Sequence, residues 1–315
     1  MKYPVFDGHC DTALELYAAG DPSLAHAKGH VTLQAMTALH PYAQFFAFCP
    51  VSFPEHGDPA KLYDKSLAAF QNQLQLHNGI MTLCGNFHQL HNAWEQGKTA
   101  VFLSIEGAEA ICCDPGRLEQ AAMAGIRMIA PVWNGENSLS GTNVTDGGLT
   151  PRGREFIRRA QELGIIVDVS HISDRAFFEI CDLTQAPVVA SHSNSRAVCN
   201  HKRNLTDEQF RLIVQMGGTV GINLYPLFLR EDGRASYHDI YIHLEHFLSL
   251  GGEDTVALGG DMDGIPTTPE GFKDIRNYKD IAEFLESRGL PSALLKKLCA
   301  GNLMRILDTC FCKPV

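Results

Sequence analysis

Short apolar runs alternate with amphipathic stretches along almost the whole chain. The runs YPVFDGH (3–9), AQFFAFC (43–49), TAVFLSIEG (99–107) and IRMIAPVW (126–133) come first. IIVDVSH (165–171), PVVASHS (187–193), TVGINL (219–224) and TVALGGD (255–261) follow. They are rich in β-branched residues and bounded by Gly or Pro, as buried parallel strands are. Between them, PRGREFIRRAQELG places Thr150 at a cap and Pro151 in the first helical turn, and stops at Gly164. TDEQFRLIVQMGG pairs Thr206 with Gln209 as a capping box and ends on Gly217.

Eight strand candidates alternating with helices predict an α/β protein with one domain over 1–315, a single (β/α)8 TIM barrel. The rival, a doubly wound sheet, needs fewer strands and usually a Gly-rich phosphate turn. Neither GxGxxG nor GxxxxGK[ST] occurs, and no repeat or Pro/Ser-rich linker marks a boundary.

Composition narrows the class. Apolar residues make up 45% and charged residues 20%, enough for a large core. Lys plus Arg number 26 against 36 for Asp plus Glu, a net charge of −10, which argues against nucleic acid or an anionic membrane as partner. The N-terminus lacks an apolar signal-peptide core, and no stretch is long enough to span a bilayer. Ten cysteines show no CxxC pair and several lie in apolar runs, so buried, reduced thiols and a cytoplasmic protein are expected. The closing CKPV is a poor prenylation signal.

Polar residues fall at the C-terminal ends of these strands. His9 and Asp11 end the first run, Glu106 the third, His171 the fifth, His192 the sixth and Asp261 the eighth. Barrel enzymes place their chemistry on that face, where strand ends converge. In an extended HCD, His9 and Asp11 project to one side and Cys10 to the other, which argues against Cys10 as a nucleophile. His9 and Asp11 would hold one metal and His171 and His192 a second, with a carboxylate such as Glu106 as bridge. Such ligands suit zinc best, with manganese or iron as alternatives.

Each residue also has a plainer reading. Glu106 can cap a helix beginning near Gly107, and His171 and His192 can be satisfied core histidines. DMDG (261–264) resembles the start of a calcium loop but lacks the later ligands. His243 and His246 are expected on a half-exposed helix face beside Glu245. No GxSxG elbow supports a serine hydrolase. Arg203 in HKRNLTD follows the sixth strand on the same face, where a guanidinium suits a substrate carboxylate. It is the joint placement at strand ends that favours a metal centre.

FDGHCDT, SIEGAE, DVSHIS, ASHSNSR, KRNL and GGDMDG, in this order over nearly the whole chain, resemble the membrane (renal) dipeptidase family of metallopeptidases. GNLMRIL resembles that family's closing helix. The resemblance implies a (β/α)8 barrel with two zinc ions, His9 and Asp11 on one, His171 and His192 on the other, and Glu106 bridging both. It implies that a water or hydroxide between the metals attacks the peptide carbonyl of a dipeptide. It further implies that Asp261 contacts the free amine and shuttles the proton, that Arg203 holds the carboxylate, and that the protein is a homodimer. Reading both charged ends of the substrate measures its length. The secreted members' signal peptide and lipid anchor are not evident here, so a cytoplasmic, bacterial-type member is expected. One departure stands out: APVWNGEN puts Trp133 where the renal enzyme has a histidine that positions the scissile carbonyl. Trp133 is a donor-only indole, and Asn134 or water is the candidate substitute.

Two competing functions make different demands. Another binuclear amidohydrolase, acting on a cyclic amide, lactone, β-lactam or N-acyl amino acid, usually opens with HxH and often bridges with lysine. A non-catalytic ligand-binding barrel would be favoured by a damaged ligand set, and all five residues are intact. The loops 50–60, 134–150 and 225–238 are expected to set side-chain and stereochemical preference.

Overall fold

The computed structural model describes residues 2–311. Its strands are β1 (Val5–Cys10), β2 (Tyr42–Phe48), β3 (Met81–Leu83), β4 (Thr99–Glu106), β5 (Ile126–Ala130), β6 (Ile166–Val167), β7 (Val189–Ala190), β8 (Thr219–Ile222) and β9 (Val256–Leu258). All pair in parallel, in the order β6-β5-β4-β2-β1-β9-β8-β7, with β3 beside β4. Val169 N–H donates to Val189 O at 2.8 Å and closes the ring between β6 and β7. Eight of the nine strands form the expected barrel.

β3 departs from the sequence reading. It pairs Met81–Leu83 with the first residues of β4, while β5 joins β4 only from Leu103 onward. Three residues with a half-exposed centre and an exposed end carry no buried-strand pattern.

The barrel interior explains why the strands read as continuous apolar runs: both faces are covered. Phe6, Phe45 and Phe102 stack inside it with ring centroids 5.2–5.7 Å apart. Leu303, Ile306 and Leu307 of the helix Asn302–Phe311 join the same cluster. That helix is tied to the turns ahead of the last two barrel strands, Arg305 donating to Gly218 O and Asp254 O and Asn302 to Val256 O. GNLMRIL therefore closes the end of the barrel away from the polar residues.

Local signals form as expected. Thr150 accepts from Gly153 N–H to cap Pro151–Glu162, and Thr206 and Gln209 make a capping box on Asp207–Gln215. The nine described cysteines are free thiols, six of them buried, and Cys10 is fully enclosed. Cys312 and the rest of CKPV lie outside the described residues. Among the described residues no helix is long and apolar enough to cross a membrane.

One expectation is corrected. His243 is fully buried, not on a half-exposed face. Its Nδ1 accepts from Ser195 N–H at 3.0 Å and its Nε2–H donates to Leu229 O at 2.9 Å, so both ring nitrogens are used inside the core. Burial pushes its pKa down to about 4. His246 is half-buried and pairs with Asp207 at 2.7 Å.

Candidate metal centre

The strand ends converge as the barrel geometry requires. Glu106, on the last residue of β4, presents its two carboxylate oxygens to different partners. Oε2 lies 3.6 Å from His9 Nε2, which is itself 3.4 Å from Asp11 Oδ2. Oε1 lies 2.8 Å from His171 Nε2 and 3.4 Å from His192 Nε2. His9, Asp11 and Glu106 form one group able to hold a metal, and Glu106, His171 and His192 another. The capping role considered for Glu106 does not arise, since no side chain caps the turn Ala108–Ile111 that follows Gly107.

The ring tautomers decide what this cluster can bind. His192 Nδ1 lies 2.7 Å from Ser191 Oγ, whose own proton goes to Asp168 Oδ2. Ser191 therefore accepts from Nδ1–H and leaves a lone pair on His192 Nε2. His171 Nδ1 lies 3.1 Å from Asn134 Oδ1, an acceptor, so His171 Nε2 carries a lone pair as well. The two Nε2 atoms face each other at 3.0 Å with Glu106 Oε1 between them. Buried Glu106 Oε1 and His9 Nε2 have no hydrogen-bond partner among the described residues. Of these electron-pair donors, His171 Nε2 has the Arg203 guanidinium 3.0 Å away, whereas Glu106 Oε1 and His9 Nε2 are buried with no donor facing them among the described residues, so the donor set fits a divalent metal.

Charge points the same way. Burial raises the pKa of Asp11, of Glu106 and of Asp261, the last to about 6. Burial opposes protonation of His9, but Glu106, Asp11 and Asp261 outweigh it and hold the ring well above the usual histidine range. His171 and His192 are pushed well below that range, by burial first and then by Arg203 on His171 and by His9 and Arg203 on His192.

The remaining candidates surround a cavity of about 710 Å³, walled in part by Asp11, Glu106, Trp133, Asn134, His171, Arg203 and Asp261. Arg203 is buried on the His171 side. Its Nη2 donates to His171 Nε2 at 3.0 Å, Nη1 donates to Ser170 O, and the Phe228 ring lies 5.6 Å away. Asp261 lies on the His9 side, with Oδ1 3.9 Å from His9 Nε2 and Oδ2 accepting from Asn223 Nδ2 at 2.9 Å. It adopts φ +60°, strained for a non-glycine residue. Gly264 must be a glycine, since a Cβ there would run into Asp11 and Asp261. The Trp133 ring is half-buried, 6.4 Å from the ring of His171. Ser52, Val144 and Tyr225 bring all three expected loops to the wall.

Several supporting residues escaped the sequence reading. Asp168 accepts from Ser170 N–H and Oγ–H and from Ser191 N–H and Oγ–H, and so fixes both histidine-bearing strand ends. Asp7 accepts from His9 N–H and Gly260 N–H at 3.0 Å and from the Tyr278 hydroxyl, tying β1 to the Asp261 turn. The available signal was a buried-strand Asp in FDGHCDT and in DVSHIS. Asp263 of DMDG is occupied by Thr12 Oγ1 at 2.6 Å and by His30 N–H, which removes the calcium-loop reading.

Comparison with known proteins agrees with this geometry. Residues 1–310 match the family model described as membrane dipeptidase, peptidase family M19. An uncharacterized protein from the pqqA 5′ region of Klebsiella pneumoniae is 34% identical over 80% of this chain and 97% of its own length. The solved structure of dipeptidase AC, an M19 metallopeptidase, superposes with a TM-score of 0.92 at 28% identity, covering 99% of each chain. A metallopeptidase from Rhodobacter sphaeroides, solved with a phosphinate mimic of the dipeptide L-Ala-D-Ala, gives a TM-score of 0.88 at 28% identity, covering 98% of this chain and 99% of its own.

Proposed function

The chain belongs to the membrane dipeptidase family of metallo-dipeptidase hydrolases, and from that premise we propose that it is a zinc enzyme cleaving the peptide bond of free dipeptides. The observation that carries this reading is Glu106, whose two carboxylate oxygens face His9 and the His171/His192 pair separately. His9 and Asp11 would hold one zinc, His171 and His192 the other, and Glu106 would give an oxygen to each. Bound there, zinc supplies Lewis-acid polarisation of the scissile carbonyl and a water made nucleophilic near neutral pH.

The chain's own side chains do the rest. Arg203, held by Ser170 O and desolvated against Phe228, offers its planar fork to the substrate carboxylate. Asp261 pairs with the free ammonium on the His9 side. It takes the proton released by the attacking water and delivers it to the amide nitrogen as the C–N bond breaks. Trp133 and Asn134 line the cavity beside the reacting carbonyl, and Asn134 Oδ1 accepts from His171 Nδ1–H and orients that ring. The dipeptide mimic bound by the Rhodobacter relative supports a substrate of this size. The described cysteines, all free, suit a reducing cytoplasm, and family analogy gives a homodimer.

The test is metal analysis joined to a dipeptide screen of both stereochemistries. About two zinc ions per chain are expected, with hydrolysis lost on chelation and restored by zinc or another divalent ion. Full activity of metal-stripped protein would overturn the proposal.

A further inference from the structure

Glu15 sits on the helix Thr12–Ala18, one turn beyond Asp11, and lines the main cavity. It is half-buried, and its carboxylate has no hydrogen-bond or ion-pair partner among the described residues. It also lines a second hollow of about 210 Å³, walled by Leu16, Ala19 and Val31 among others. Glu15 thus stands on the ridge where the reaction cavity meets an apolar recess. The recess has one other carboxylate, Asp263, already occupied by Thr12 Oγ1 at 2.6 Å and His30 N–H at 2.5 Å. A single free carboxylate offers too few oxygens for a metal ion, but it suits one ammonium or guanidinium group. The apolar walls suit the methylene stem that carries such a group.

We propose that Glu15 and this recess select dipeptides whose N-terminal residue carries a cationic side chain, lysine or arginine. The inference rests on the dipeptidase reading, because that reading places the substrate amine at Asp261. Asp261 and Asp11 both reach the space a Cβ on Gly264 would fill, and Glu15 follows Asp11 by one helical turn, so Glu15 lies at the amine end of the cavity. The first residue's side chain is the part of the substrate within its reach. Arg203 and its neighbours stand at the carboxylate end, and no cationic side chain among the described residues pairs with Glu15.

The test compares Lys-Ala with norleucine-Ala, which keeps the methylene stem and lacks the ammonium, on wild type and Glu15→Gln. Wild type is expected to favour Lys-Ala roughly tenfold in kcat/KM, mainly through KM, and Glu15→Gln should bring the ratio close to one. Calorimetry with the phosphinate mimics of both dipeptides should show the same collapse in the ratio of Kd values. A ratio retained in Glu15→Gln, with both substrates losing equally, would mean a structural role and overturn the proposal. A wild type indifferent to the ammonium would also overturn it while leaving the dipeptidase reading in place. Failure to hydrolyse or bind any dipeptide would remove both.

Discussion

Ser191 Oγ lies 2.7 Å from His192 Nδ1 and passes its own proton to Asp168. The hydroxyl is thereby an acceptor for the ring, and the ring's other nitrogen is an electron-pair donor facing Glu106. Outer partners of this kind usually change metal affinity by roughly 10–100-fold. Ser191→Ala should therefore bind zinc more weakly by about that factor, read by competition with a chromogenic chelator. Unchanged affinity would mean that the tautomer of His192 is set elsewhere.

Glu106→Gln removes the charge that faces both halves of the cluster. The two proposed metals should both be held more weakly, and dipeptide hydrolysis should fall by orders of magnitude. Metal content by atomic absorption and turnover at saturating zinc separate the two effects. Retention of both would leave Glu106 without the role given to it.

Arg203→Lys keeps the positive charge and loses the planar fork. Removing one charge-assisted hydrogen bond to a buried carboxylate costs about 1.5–3 kcal/mol, so kcat/KM should fall roughly tenfold or more. A C-terminally amidated dipeptide should be a poor substrate for wild type and should largely erase the difference. Equal losses on the free-acid and amidated forms would show that Arg203 does not read the carboxylate.

Asp261→Asn should do more damage than Arg203→Lys, because it removes the proposed counter-charge for the amine and the proposed proton carrier. If Asp261 carries the proton, the acid limb of the wild-type kcat profile should be displaced or lost in the variant. Zinc content of the variant should stay near that of wild type. A variant that keeps wild-type kcat would exclude Asp261 from proton transfer.

His243 gives a stability prediction with a definite sign. In the folded core its pKa is about 4, against an ordinary value of 6.5. Between those values the unfolded chain binds the proton and the folded chain does not, so stability contributed by neutral His243 is full above pH 6.5 and lost as pH falls. The slope is about 1.4 kcal/mol per pH unit. Urea unfolding of wild type and His243→Asn at pH 7 and at pH 5 should show a shallower pH dependence in the variant. Identical dependence would mean that His243 is protonated without cost.

The barrel and most of the cluster were legible in the sequence because both depend on local periodicity. Eight buried runs separated by capped helices specify parallel strands. Once Val5 to Cys10 is a strand, His9 reaches its C-terminal end; Asp11 lies just beyond it, at the cap of the following helix, so its approach to His9 comes from that turn and not from strand alternation. The rule that strand ends converge then carries Glu106, His171, His192 and Asp261 into one volume. The rest depends on distances between residues far apart in the chain, which no local pattern encodes. Ser191, Asp168 and Asn134 set the ring tautomers only because three strand ends and a loop meet there. His243 looked half-exposed on its own helix, and it is buried because Ser195 and Leu229 arrive from other segments to take both nitrogens. β3 is too short and too exposed to leave a periodic signal, and only β4 makes it a strand. Glu15 has no signal of its own in the sequence, and only folding places it, without a partner among the described residues, between a polar cavity and an apolar recess. Identity and period are properties of the chain, whereas burial and partnership are properties of the packed molecule.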